Sequence, residues 1–223
     1  MRFADRFEAG RLLAAEVIRR GWPDPVVVGL PRGGVPVAFE VARAFDAPLY
    51  AVVVRELGVP YHPGLAMGAL SEDNVIVLDS EVLDAVDVSL RTLAAVERVA
   101  RVEVDRRVRL LRPWRLPSGL AGRTVVIVDD GVATAAVVRA ASRVVRGRGA
   151  ARVVLATPVA SAGAVARLRR VVDDLVCLDT SRPMVSADQW YDDFPQPTDE
   201  LVTSLLAGSS VADRRGSVGV LTR

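Results

Sequence analysis

The 223-residue chain contains no lysine, one cysteine and one histidine. Without lysine there is no side-chain amine for Schiff-base chemistry. All 29 basic side chains are therefore arginines, which stay charged and grip phosphate through a planar fork. Cys177 and His62 alone cannot build a zinc site of the usual nitrogen and sulfur ligands, nor a Cys-X-X-Cys redox pair. Cys177, inside the apolar stretch DLVCL, reads as a buried structural thiol, and His62 as an exposed loop residue. Scarce cysteine suits a reducing compartment, and MRFADRFEAG lacks the apolar core of a signal peptide, so a cytoplasmic location is expected. No apolar run reaches the roughly 18 residues of a membrane span, and no membrane partner is expected.

At 51% hydrophobic and 25% charged, the composition is that of a globular domain with one core. The 27 acidic residues leave a formal net charge of only +2, so the arginines do not make a polyanion-binding chain by weight of numbers. They are concentrated between Arg91 and Arg115, where eight arginines face three acids. Most of that stretch lies within a glycine- and proline-free run, Ser89 to Arg112, which predicts one long helix. Its basic face reads first as solvated, with attraction of polyanions or a subunit contact as alternatives.

Along the chain, apolar periodicity predicts a helix from Asp5 to Arg20 and a strand over Val26 to Leu30, then a PRGG turn and a helix. Leu49 to Val54 reads as a neighbouring strand and Val75 to Leu78 as its hairpin partner or an edge. The connection Glu56 to Asn74 exceeds the usual length and reads as a functional, mobile loop or else a structural hairpin. Thr124 to Val128, Arg152 to Thr157 and Leu175 to Leu178 read as strands, with helices Ala135 to Arg146 and Ala162 to Val172 between them. Such alternation predicts an α/β fold with a mainly parallel twisted sheet flanked by helices.

In an open parallel sheet, ligands gather beyond the carboxyl ends of the strands. In VVIVDDGVATAAVVRAA an apolar strand ends in Asp129 and Asp130, followed by a small-residue turn and a helix. Free N–H groups at that helix start can bind an anion because Gly131, Ala133, Thr134, Ala135 and Ala136 are small, and the Thr134 hydroxyl adds a donor. Carboxylates repel phosphate unless they face elsewhere, so their plausible task is to accept hydrogen bonds from sugar hydroxyls or to hold Mg²⁺ through water. A sugar phosphate satisfies all of these groups, whereas helix capping by the aspartates is the bland alternative. The second place is Pro31, Arg32, Gly33 and Gly34, where glycines permit close approach of an anion and Arg32 adds a cation. The P-loop pattern GxxxxGK[ST] is absent.

Together these motifs resemble the type I phosphoribosyltransferase family, over most of residues 1–206. The DD segment is similar to its phosphoribosyl pyrophosphate signature and GLPRGGVPVA to its pyrophosphate loop. The resemblance implies a domain over 1–206 with a small C-terminal hood at about 179–206 and a flexible tail at 207–223. It implies Mg²⁺-dependent transfer of a phosphoribosyl group to a nitrogenous acceptor, with a purine-type base as one option. Asp129 and Asp130 would contact the ribose hydroxyls and Mg²⁺. Gly131, Val132, Ala133, Thr134, Ala135, Ala136 and Val137 would cradle the ribose phosphate, and Pro31, Arg32, Gly33 and Gly34 the pyrophosphate. RELGVPYHPGLAMGAL would be the mobile loop with Arg55 at its root, while Met184, Val185 and Trp190, with Tyr191 beside them, would meet the acceptor. A homodimer is implied, and nucleic acid is not expected as a partner.

Three departures stand out. Such proteins usually read TGAT where this chain has Thr134, Ala135, Ala136 and Val137, so one glycine and one hydroxyl are missing. A lysine is common after the loop arginine, where this chain has Glu56. These departures motivate a second reading, a phosphoribosyltransferase-fold regulator or ligand sensor with little or no turnover. A third, nucleic-acid binding through the arginine-rich helix, would show strong salt dependence.

Overall fold

The computed structural model describes residues 1–62, 64–181, 183–184 and 186–209. Helix α1 (Arg6–Ile18) starts at Asp5, whose carboxylate accepts the Glu8 N–H at 2.7 Å and so satisfies one orphan donor of the first turn. Strand β1 (Val26–Gly29) passes through the PRGG turn into α2 (Gly34–Phe45). There follow β2 (Leu49–Ala51), β3 (Val54–Gly58), β4 (Ala66–Ser71), β5 (Ile76–Leu78), a short α3 (Ser80–Ala85) and the long α4 (Leu90–Leu110). The second half alternates as predicted: β6 (Thr124–Val128), α5 (Ala136–Gly147), β7 (Arg152–Val159), α6 (Ala162–Leu168) and β8 (Asp174–Asp179). Helix α7 (Asp199–Ser209) extends past the 206 boundary, and residues 210–223 lie outside the described residues.

Five strands pair in the order β2-β1-β6-β7-β8, all parallel. Period-two alternation sends Val27, Val126, Val128, Val154 and Ala156 to the core under α1 and α2. Val26, Val28, Val125, Ile127, Val153 and Leu155 go to the core under α5 and α6. Burial on both faces explains why these strands read as continuous valine- and leucine-rich runs.

Two expectations need correction. Leu49 to Val54 is not one strand: β2 stops at Ala51, and Val54 begins β3 of a separate antiparallel sheet of order β3-β4-β5. The break follows from Glu72, whose carboxylate accepts the Val53 N–H at 3.0 Å while its own N–H donates to the Val53 carbonyl at 2.9 Å. Those bonds take Val53 out of reach of the parallel ladder. The expected loop over Glu56 to Asn74 is largely the β3–β4 hairpin, the structural alternative, with Val54 opposite Ser71 and Leu57 opposite Gly68. Val75 to Leu78 supplies the edge strand of that small sheet.

Glu72 is 2% exposed and also accepts from Arg148, at 2.7 Å, and Arg115, at 3.2 Å. Arg148 caps the carboxyl end of α5 and Arg115 follows α4, so one buried carboxylate fastens the small sheet to both helices. Replacement of Glu72 by Gln should lower unfolding free energy by about 2–3 kcal/mol in urea titrations. This is below the full range for buried pairs because Arg115 keeps solvent contact. An unchanged midpoint would show that this carboxylate does not fasten the sheet.

Candidate active site

Strand β1 lies between β2 and β6, so the chain leaves it toward one edge while the connections from β6 run toward the other. At such a reversal the loops after the two central strands diverge and leave a crevice. Both sequence-predicted loops stand there. A Cβ added to Gly33 would lie 2.0 Å from Asp130 Oδ2, and one added to Gly34 would lie 2.6 Å from the Val128 carbonyl oxygen. Glycine at both positions is thus a packing requirement, because the PRGG backbone rests directly on the DD turn. The Pro31–Arg32 peptide bond is cis.

The aspartates sit at the mouth of the crevice, partly buried rather than open to solvent. Asp130 Oδ2 accepts from Arg6 Nε at 2.7 Å, with the Arg6 side chain 6% exposed and that of Asp130 15%. Arg6 also donates to the Pro195 carbonyl at 2.6 Å and lies 3.6 Å over the Phe194 ring. The Tyr191 hydroxyl donates to the Asp130 carbonyl oxygen at 2.7 Å. Asp129 accepts the Asp130 N–H at 3.0 Å. Burial, and then the Asp130 charge beside it, push the Asp129 carboxyl well above the usual range. Arg6 was not legible as part of the site, because nothing local distinguishes an arginine after an N-cap; Tyr191 was expected beside the acceptor but is buried, with its hydroxyl on the Asp130 carbonyl.

In the phosphate turn, Val132 is 3% exposed and its N–H donates to the Val159 carbonyl at 2.9 Å, so it serves the sheet rather than an anion. Ala133 uses its carbonyl to accept the Ser161 hydroxyl at 2.9 Å. A Cβ on Gly131 would meet Ala187 Cβ at 2.4 Å and Met184 Cε at 3.1 Å, which brings the hood directly onto the turn. Ala135 has φ −82° and ψ −13°, right-handed helical values, so alanine in place of glycine carries no backbone strain. Ala136 is buried, and Val137 packs partly buried against the core beneath α5. The Thr134 hydroxyl donates to Glu56 Oε2 at 3.3 Å, across from the hairpin. Glu56 as a residue keeps solvent contact, yet enough protein surrounds its carboxyl for burial to push its pKa up. The Thr134 hydrogen bond and the Arg55 charge oppose that shift.

The expected acceptor residues divide. Met184 reaches the turn, Val185 lies outside the described residues, and Trp190 is a correction: it is fully buried with Phe3 and Tyr191, its indole N–H donating to Asp179 at 3.2 Å. With both faces packed, it cannot stack on a base; it anchors the hood. Arg55 is exposed on β3, and Arg32 is half-buried with its Nε lacking a hydrogen-bond partner among the described residues. A further cation, Arg107, joins them from α4. It occupies the inward row with Ala100, Val104 and Leu111, and its side chain is 12% exposed. The four-three-four spacing of that row was the only signal separating it from the other arginines.

Residues 4–187 match the phosphoribosyl transferase domain family. The chain belongs to that family. Two Mycobacterium tuberculosis proteins, from strains CDC 1551 and H37Rv and provisionally named phosphoribosyl transferases, are each 45% identical over 204 residues. The match covers 92% of this chain and 46% of theirs, so the chain spans about half the length of these curated relatives. The crystal structure of TT1426 from Thermus thermophilus superposes with a TM-score of 0.75 at 41% identity, covering 93% of this chain and 99% of that one. Among the described residues, no helix is long and apolar enough to cross a membrane.

In this phosphoribosyl transferase domain, two charge–geometry relations can be measured. Gly33 has helical φ, so Gly33→Ala should act only by steric displacement of Asp130 from Arg6, lowering stability by about 1–3 kcal/mol in urea titrations. A variant as stable as the parent would contradict this packing. Because the folded pKa of Glu56 is raised, its contribution to stability is full below its ordinary value of 4.5 and is lost as pH rises through the folded value. Glu56→Gln should therefore remove a small loss of stability on raising pH above 4.5, read from thermal midpoints across pH. An unaltered pH profile would refute that burial effect.

Proposed function

We propose that the chain is a phosphoribosyltransferase, moving a phosphoribosyl group from phosphoribosyl pyrophosphate to a nitrogenous base. The observation that carries this reading is the apposition of the two predicted loops, with Gly33 seated against the Asp130 carboxylate at the sheet's reversal point. A donor lying across that crevice meets carboxylates at its sugar, small residues at its 5-phosphate and guanidinium groups at its diphosphate. Asp129 and Asp130 orient the ribose hydroxyls as hydrogen-bond acceptors. Arg6 fixes one oxygen of Asp130, so that carboxylate meets the sugar in one orientation. As the bond from the anomeric carbon to the diphosphate breaks, positive charge grows on carbon and negative charge on the leaving oxygens. Arg32 and Arg55 act on the second of these. Departure of the diphosphate needs no covalent enzyme nucleophile, consistent with a chain that has no lysine and only one cysteine and one histidine.

The donor set suits Mg²⁺ held through water. Adjacent hard oxygens of Asp129 and Asp130 provide two carboxylates, and a nearby cation would offset the burial and the Asp130 charge that together raise Asp129. Among the described residues no group of three His, Cys, Asp or Glu gathers, so the substrate's own oxygens would complete the shell. When bound, the ion would neutralise charge on the leaving diphosphate. On the acceptor side, the Met184 thioether, beside Gly131, is the remaining apolar surface for a base.

A second reading has its own support. Glu56 occupies the Thr134 hydroxyl that a ribose phosphate would use, as a sensor without turnover could tolerate. Calorimetry separates the cases. Phosphoribosyl pyrophosphate with Mg²⁺ should bind the parent chain, and the Asp129→Asn, Asp130→Asn variant should lose at least about tenfold in affinity. Equal binding by a folded variant would remove both readings. Pyrophosphate release with any base in a panel establishes turnover, while binding without release across the panel favours the sensor.

A further inference from the structure

We propose that Arg107 of α4 joins Arg32 and Arg55 in a three-guanidinium seat for the diphosphate end of the donor. The inference deepens the reading above and rests on it only for the identity of that donor. Helix α4 is otherwise an outward basic helix: Arg101 pairs with Glu97, and Arg106 with Glu103 and Asp199. Arg107 differs because it stands in the buried row of Ala100, Val104 and Leu111, where packing alone would favour an apolar side chain. Burying a guanidinium there is costly unless an anion answers it.

The protein's own anion answers it only in part. Glu103 Oε1 lies 2.7 Å from Arg107 Nε as an ion pair, but off the line of a well-aligned hydrogen bond, so this nitrogen is only partly satisfied. Glu103 already receives two hydrogen bonds from Arg106. Arg32 Nε is buried with no hydrogen-bond partner among the described residues. Buried guanidinium nitrogens that lack well-aligned acceptors and feel one another's charge mark a site whose full complement of acceptors comes from outside. The electrostatics agree. Burial first, and then the charges of Arg32 and Arg55, lower the proton affinity of Arg107, against the pull of Glu103. Three cations that repel one another are relieved by a multiply charged anion, and a diphosphate has the oxygen count to engage forks from several directions.

The arrangement also explains where the positive charge comes from on the hairpin side. In β3 the Arg55 charge is adjacent to Glu56, which offsets it. Helix α4 packs against β3, so Arg107 reaches the same space from a rigid element rather than from a hairpin strand. A cation placed by a helix is held in position before the anion arrives, which lowers the ordering cost of binding.

Calorimetry with inorganic pyrophosphate, ribose 5-phosphate and phosphoribosyl pyrophosphate, each with Mg²⁺, tests the seat in the parent chain, Arg107→Gln and Arg107→Lys. Arg107→Gln should weaken pyrophosphate binding about ten- to hundredfold and leave ribose 5-phosphate binding unchanged, with Arg107→Lys in between. Pyrophosphate binding that is unaltered in a folded Arg107→Gln chain, or absent in the parent, overturns the seat. Parallel loss of both ligands together with a lowered urea midpoint also overturns it, since that is the signature of a merely structural arginine. Should the parent bind pyrophosphate in an Arg107-dependent way but not phosphoribosyl pyrophosphate, the seat stands and the proposed donor falls.

Discussion

A single buried ion pair, Arg6 with Asp130, ties together the three parts of the chain that must meet for the crevice to exist. The guanidinium comes from the first turn of α1, the carboxylate from the end of the central strand β6, and the remaining contacts of Arg6 are to Pro195 and Phe194 beyond the hood turn. Removing either charge would strand the other in a space closed by aromatic rings, a far larger penalty than loss of a surface pair. The Gly33 backbone completes the arrangement, because any side chain there would occupy the volume of the Asp130 carboxylate. The aspartate carboxylate is thus oriented from two sides, while its carbonyl is held by Tyr191. An acceptor so constrained has one geometry, and in the proposed reaction that is what transition-state preorganisation asks of it.

Charge is divided unequally across the crevice. Carboxylates dominate beyond β6, where Asp129 is pushed toward protonation by burial and by its neighbour. Guanidinium groups dominate on the side of β3 and α4, where Arg107 is pushed the other way. A ligand with hydroxyls at one end and phosphates at the other fits that division. The like charges within each half are held together by the fold, so the field is present before any ligand enters. Glu56 is the exception, a carboxylate on the cationic side that accepts from the Thr134 hydroxyl of the phosphate turn.

Much of the fold was legible because the information is local. A short run of β-branched residues such as Thr124–Val128 reads as a strand covered on both faces, and the carboxylates that follow fall at the sheet's carboxyl edge. The boundary at Ala51 was not legible because it depends on Glu72, about twenty residues on, capturing Val53. Trp190 was placed at the acceptor by the resemblance alone, and sequence cannot separate a stacking aromatic from a core one; contacts with Phe3 and Asp179 bury it. Arg107 was hidden by abundance. Eight arginines in one stretch suggest a solvated face, and only the inward row of α4 separates one of them from the rest.

The departures in the phosphate turn weigh differently once backbone and contacts are known. Ala135 is costly only if φ there must be positive; at −82° that argument lapses. Val137 removes a hydroxyl but adds apolar contact beneath α5, which favours the helix start rather than distorting it. Glu56 is therefore the departure with chemical consequence. A phosphate arriving at Thr134 must compete for its hydroxyl with a carboxylate that burial already disfavours as an anion. Protonation of that carboxylate, or its rotation away from Thr134 to pair with Arg55, is the local change that would open the turn to an incoming anion, and it requires no movement of the sheet.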